Sequence, residues 1–162
     1  MLAPVFEQLA GAVELNVIGA ERAAPGQEWY RRVTVPDDCK PYPRFVGWLR
    51  EQRPFWDLAV APLQDTLFNH YKSDLKYLEY AALGLPGVFS DRAAYATVED
   101  GDTGLKVGDE AEDWIRAVTS LAESPADRDA LAERAFREVT SGRLLRHGSE
   151  DLLRVLAPIM GA

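Results

Sequence analysis

Short apolar runs alternate with longer amphipathic stretches along this chain, the pattern of an α/β domain with a mostly parallel sheet. Residues 3–10 predict a short helix, with Pro4 tolerated in its first turn and Gly11 breaking it. Residues 13–18 (VELNVI) predict a first strand that Gly19 ends. Residues 21–28 are rich in Ala, Pro and Gly and read as loop. Residues 30–35 alternate and are β-branched, a second strand closed by Pro36. Pro36, Pro41 and Pro43 mark a loop over 37–43, and in 44–52 Phe45, Trp48 and Leu49 recur at helical spacing.

Residues 57–61 (DLAVA) are a near-continuous apolar run before Pro62, which reads as a buried third strand. A polar loop is expected over 69–74. A helix follows over 75–83, with Leu75, Leu78 and Ala82 on an apolar face turned to the sheet. Gly84 stands where a left-handed C-cap glycine belongs, with Pro86 two residues later. Residues 87–90 (GVFS) predict a buried fourth strand, and 101–107 a turn feeding a fifth. Gly101 and Gly104 are expected at positive φ in that turn. Helical segments follow over 110–121, 126–141 and 149–157. Ser124-Pro125 divides the first two, and Gly142 ends the second. The prediction is one α/β domain over 1–162: a Rossmann-like parallel sheet of about five strands flanked by helices, with a C-terminal helical tail. Crossovers should be right-handed, and ligands in such sheets bind beyond the carboxyl ends of the strands.

Composition narrows the partners. Lys plus Arg total 18 against 26 Asp plus Glu, a net charge of −8, with a pI of about 4.8. Nucleic-acid readers carry a basic surface that releases phosphate counterions, so no nucleic-acid partner is expected. Any anion must be held by a local device such as a helix N-terminus or a few placed lysines. No run approaches the roughly 20 apolar residues of a membrane span. The first residues lack the basic flank of a secretion signal. One cysteine, Cys39, excludes an internal disulfide framework or a multi-Cys zinc site, and a reducing, cytoplasmic setting is expected. The two histidines, His70 and His147, stand far apart with no ligand spacing, so no metal is expected.

The segment richest in chemistry is 69–86, NHYKSDLKYLEYAALGLP. Ser73 or Asp74 can N-cap the helix, and the free amides and dipole of that terminus attract anions. Lys72, Lys76 and Glu79 share one face if the first turn includes Lys72. A carboxylate one turn in can accept hydrogen bonds from both hydroxyls of a ribose. Set against this, Lys and Glu at i, i+3 are most often a solvated pair worth a few tenths of a kcal/mol.

The run KSDLKYLEYAALGLPGVFS, followed by VEDGDTGLKV, resembles the C-terminal half of GT-B fold glycosyltransferases of family 4, the group 1 type. The shared features are Glu79, Gly84 and Pro86, then Gly101, Gly104, Leu105 and Val107, then Trp114, Leu121, Arg128 and Ala135; WDLAVAPL is similar to the strand before the family's donor loop. The resemblance implies a nucleotide-sugar donor-binding half, with a nucleoside diphosphate sugar as substrate, no cofactor, retention of anomeric configuration and no bound metal. It implies that Glu79 bonds the ribose and that Lys72, Ser73, Asp74 and Leu75 face the diphosphate or sugar, with Lys76 beside them. It assigns no catalytic residue. Many members carry two glutamates with seven residues between them. Here the first position is Tyr71, and the stretch from Lys76 to Tyr80 is similar to a subgroup's Lys-x-x-Glu-Tyr pattern. The Arg/Lys pair that the family places before this segment is not visible upstream of Val13. The N-terminal acceptor domain is expected to be absent from this chain, which is then half of a two-domain enzyme and expected to be inactive alone, and apolar surface left for that domain predicts self-association.

Other conspicuous residues read as structure. His70 is expected to be solvated, Ser90 to reach the ligand cleft or to cap a turn, and Trp48, Trp56 and Trp114 to pack in the core. Cys39 has no His partner nearby in sequence to activate it. The alternative function is a non-catalytic scaffold that docks a partner. A phosphoacceptor receiver is excluded, because strand one ends in Gly19-Ala20 and strand three in Pro62-Leu63 rather than in acids.

Overall fold

The computed structural model describes residues 2–19, 29–144 and 148–149. The loop expected over 21–28, His147 and, apart from Ser149, the helix expected over 149–157 lie outside the described residues. The described elements alternate as the pattern predicts. Helix α1 (Ala3–Gln8) precedes β1 (Asn16–Ile18) and β2 (Arg31–Val33). Helix α2 (Tyr42–Gln52) leads to β3 (Ala59–Ala61), then α3 (Leu67–His70), α4 (Leu75–Ala82) and β4 (Gly87–Ser90). Strand β5 (Leu105–Val107) and helices α5 (Ala111–Glu123) and α6 (Pro125–Gly142) follow.

All five strands pair in parallel, in a Rossmann-like α/β arrangement, but the ladder is divided. Strands β1 and β2 form one sheet, and β3-β4-β5 form another. Strand β1 is also shorter than the apolar run suggests. The Val13 amide donates to Leu9 O at 3.0 Å, so the start of the run closes the turn after α1.

Strand β4 is buried throughout, flanked by β3 and β5. Its side chains alternate between two cores, as the period of two requires. Val88 joins Val5, Phe6, Trp114, Leu121 and Leu131 under α1, α5 and α6. Phe89 joins Tyr77, Ala81, Tyr95 and Val98 under α4. Trp114 is wholly buried and donates its indole N–H to Gly108 O at 3.1 Å, so its one polar atom is satisfied. Ser124 caps α6 by accepting from the Asp127 amide, where the sequence divides the two helices.

Three local expectations are corrected. The loop expected over 69–74 begins later, because Thr66 caps a helical turn by accepting from the Asn69 amide at 3.3 Å, which places Asn69 and His70 in α3. Helix α4 does not bury Leu75 and Ala82, which are both exposed. It buries Tyr77 and Ala81, one turn apart, with Leu78 and Tyr80 at the margin. Tyr77 can occupy the core because its hydroxyl reaches Glu138 on α6 at 2.8 Å. Gly104 does not take positive φ; its missing Cβ would lie 2.7 Å from Val98 Cγ1 and 2.9 Å from Phe89, so the strand needs glycine for close approach.

The helix stop at Gly84 is as expected. Gly84 has φ +66°. Its amide donates to Ala81 O at 2.9 Å and the Leu85 amide to Tyr80 O at 2.9 Å, the two bonds of a Schellman cap. Arg53 donates to the carbonyls of Leu83 and Gly84. The exit of α4 into β4 is thereby held from two sides.

Candidate functional site

The first intrahelical bond of α4 runs from the Leu78 amide to Asp74 O at 3.2 Å. The amides of Leu75, Lys76 and Tyr77 precede it and have no acceptor within the helix, the ordinary condition of a helix start. Asp74 occupies the N-cap position without a side-chain cap bond. Its carboxylate Oδ2 instead accepts from Thr97 Oγ1 at 2.7 Å and from an Arg143 guanidinium N–H at 2.7 Å. Burial acts to raise the Asp74 pKa. The Thr97 and Arg143 hydrogen bonds and the Arg143 charge outweigh it and hold the carboxyl below the usual range. Asp74 is thus committed to joining α4, the loop before β5 and the end of α6, which corrects the expectation that it caps the helix.

Lys72 lies outside α4. The face that would join it to Lys76 and Glu79 does not form, and its ammonium sits 5.2 Å from the Phe68 ring centroid. Ser73 and Leu75 are exposed beside it. The structure does bring Lys76 and Glu79 together. Lys76 Nζ donates to Glu79 Oε2 at 2.7 Å. The Glu79 side chain is only 15% exposed, against 55% for Lys76. The carboxylate is therefore sheltered while its partner is largely in solvent.

Both residues line a cleft of about 720 Å³ between the two sheets. Its other walls include Val17 and Ile18 of β1, Val60 of β3, and Tyr80. Tyr80 donates its hydroxyl to Val60 O at 3.0 Å, and burial pushes its pKa up. Lys72, Ser73, Asp74 and Leu75 do not line this cleft. The six expected residues thus divide into a pair in the cleft, three on the exposed approach to α4, and one structural acid.

Beyond β3 and β4 stands a second charged group that the sequence reading did not assemble. His70 Nε2 lies 2.5 Å from Asp65 Oδ1, so His70 is paired rather than merely solvated. The hydrogen bond to His70 lowers the Asp65 pKa against the opposing effect of burial, and the charge of Arg92 adds to the lowering. Arg92 pairs with Asp109. The spacing of five between Asp65 and His70 is a signal available in the sequence, whereas Arg143 is 69 residues from Asp74 and has none. Ser90 is fully buried and accepts from the Leu63 amide at 2.8 Å, so it ties the segment just after β3 to the end of β4 rather than reaching into the cleft.

No curated protein matches this chain. Residues 1–124 match the family model of glycosyl transferases group 1, a span that runs from α1 through α5 and contains the Lys76–Glu79 pair. With more than half of its length so matched, the chain belongs to the group 1 glycosyl transferases.

Proposed function

We propose that this chain is the nucleotide-sugar donor-binding part of a glycosyltransferase, and that Glu79 holds the ribose of a nucleoside diphosphate sugar. The observation that carries this reading is the sheltered Glu79 carboxylate in the cleft between the sheets. Its Oε2 is oriented by Lys76, which leaves Oε1 to accept from ribose hydroxyls. Two such bonds to one carboxylate are charge-assisted and directional. The diphosphate lies toward the start of α4, where the amides of Leu75 and Lys76 and the positive end of the helix dipole favour negative charge. Lys72 and Ser73 are exposed on the same approach and add a cation and a hydroxyl.

In the reaction, the bond from the anomeric carbon to the diphosphate oxygen breaks, a bond to the acceptor hydroxyl oxygen forms, and the hydroxyl proton passes to the departing diphosphate. Charge accumulates on the leaving diphosphate, and donors already aimed at it lower the barrier. Resemblance to family 4 supports retention of configuration and catalysis without a bound metal. The acceptor is held by a second domain facing the donor cleft, so transfer requires both parts, while donor binding belongs to this one.

The experiment is a calorimetric titration with UDP, GDP, ADP and their sugars, for the wild type and Glu79→Ala. One nucleotide should bind, and the substitution should weaken it by about 1.5–3 kcal/mol, the size of a hydrogen bond to a charged group. Equal binding by the variant refutes the assignment of Glu79. A folded protein that binds no nucleotide favours a scaffold role instead.

A further inference from the structure

An acidic chain that holds an anion has to offset its own charge where the anion sits. The net charge is −8, so the field of the molecule as a whole opposes a diphosphate. Two carboxylates are packed against the first turn of α4: Asp74 at its N-cap position, and Glu138 of α6, which accepts from the Tyr77 hydroxyl at 2.8 Å. Aspartate is among the residues that most readily cap a helix, by accepting from the amides of the first turn. Asp74 stands in that position and does not do so. Left free, its carboxylate would occupy those amides and repel any anion brought to them.

Arg143, the residue that follows α6, draws that carboxylate aside. The Arg143 amide donates to Val139 O at 2.9 Å, which extends the last turn of the helix. Its guanidinium donates to Asp74 Oδ2 at 2.7 Å, and Thr97 Oγ1 donates to the same oxygen. The Asp74 side chain is 11% exposed and that of Arg143 30%, so the pair is sheltered from screening by salt. A hydrogen bond between ionised partners is roughly twice as strong as a neutral one. The bond to Asp74 raises the Arg143 pKa against the opposing effect of burial, and the charges of Asp74 and Glu138 add to the rise. One guanidinium thus stands among both acids, while Lys72 lies exposed on the approach to the same turn.

We propose that Arg143 is a positioning residue for the diphosphate of the donor: it holds the Asp74 carboxylate away from the open amides of Leu75 and Lys76 and cancels its charge, so that the start of α4 receives an anion from outside. Arg143 acts through Asp74 and does not itself touch the ligand. The inference rests on the placement of the diphosphate argued above and adds the residue that keeps that place open. An uncompensated unit charge acts over several ångströms, and at the effective dielectric of a protein surface it weakens a bound anion about tenfold or more.

The test compares, in the whole chain near neutral pH, the best-bound of UDP, GDP and ADP with its own nucleoside. The ratio of the two affinities isolates the diphosphate. Calorimetry should give a ratio about tenfold lower in Arg143→Gln than in the wild type, with the affinity for the nucleoside unchanged. Arg143→Lys keeps the charge and should retain most of the ratio. Glu79→Ala should weaken both ligands alike and leave the ratio as it is. Adding Asp74→Ala to Arg143→Gln removes the uncompensated carboxylate and should restore the ratio, although it also removes the bond from Thr97 and lowers stability further. A merely structural role predicts the opposite, since a second lesion in the same tie does not repair the first. A wild-type ratio in Arg143→Gln, or no recovery in the double variant, overturns the inference and leaves the donor reading standing. A wild type that does not prefer the diphosphate removes the placement of the diphosphate, and the inference with it. If the double variant fails to fold, Arg143→Gln against Arg143→Lys still decides, and equal ratios in the two overturn the inference.

Discussion

Asp74 shows how a residue in a binding segment can be recruited to structure. Its carboxylate holds Thr97 and Arg143, and Asp74→Ala leaves both donors without that acceptor at a cost of about 1–3 kcal/mol. The effect depends on pH with a definite sign. The folded state holds the Asp74 pKa below its ordinary value. The charged form is therefore favoured by folding, and the contribution is complete above the unfolded pKa of about 3.9. It is lost as pH falls through the lower folded value. Urea unfolding should show the Asp74→Ala difference in full near neutral pH and a much smaller one by about pH 2. A difference independent of pH would mean that the carboxylate charge is not what matters. The pair of Lys76 and Glu79 was legible in the sequence, since a spacing of three on a helix brings side chains together. The fate of Asp74 was not, because its partner Arg143 comes from the end of α6.

At the scale of elements, the local chemistry of starts and stops was the most legible part. Gly84 ends α4 with the expected cap, and Ser124 starts α6. Gly84→Ala forces a side chain into the left-handed region and should destabilise by about 1–2 kcal/mol. Thermal unfolding should report this loss, with open space around the missing Cβ ruling out a clash as its cause. An unchanged midpoint would show that the cap contributes little. Periodicity alone gives α4 the wrong phase, because Leu75 is more apolar than Tyr77 and ranks first for burial. The fold instead buries Tyr77, whose hydroxyl has Glu138 as partner; burial, the largest influence, pushes its pKa up to about 12. A partner 61 residues away leaves no mark in local periodicity. The strands are legible in the sequence, but the split between β1 and β3 is not, because it does not show in runs of apolar residues. Such runs report how well a strand suits an interior and not which neighbour it has.

At the scale of the molecule, the exposed apolar residues have a pattern. Leu67, Phe68, Tyr71 and Leu75 are all exposed, at 74%, 76%, 84% and 47%, and all belong to the stretch from α3 into α4. A cluster of this kind marks an interaction surface, and it stands at the approach to the proposed diphosphate position, where a second domain would face the donor. For this chain studied by itself, the surface should drive self-association. Sedimentation velocity should show a concentration-dependent increase for the wild type that Phe68→Ser with Tyr71→Ser suppresses. An identical concentration dependence in the double variant would place the contact elsewhere.

The central claim is that Glu79 recognises ribose, and a ligand-side deletion tests it more directly than any single variant. The measurement is the affinity of the best-bound nucleoside diphosphate and of its 2′,3′-dideoxy analogue, for the wild type and for Glu79→Gln. For the wild type, loss of the two hydroxyls should weaken binding by about 1.5–3 kcal/mol. For Glu79→Gln the same change should cost much less, since the charged acceptor is already gone. That non-additivity is the signature of direct contact. Equal losses in the two proteins would contradict the account and place the ribose away from Glu79.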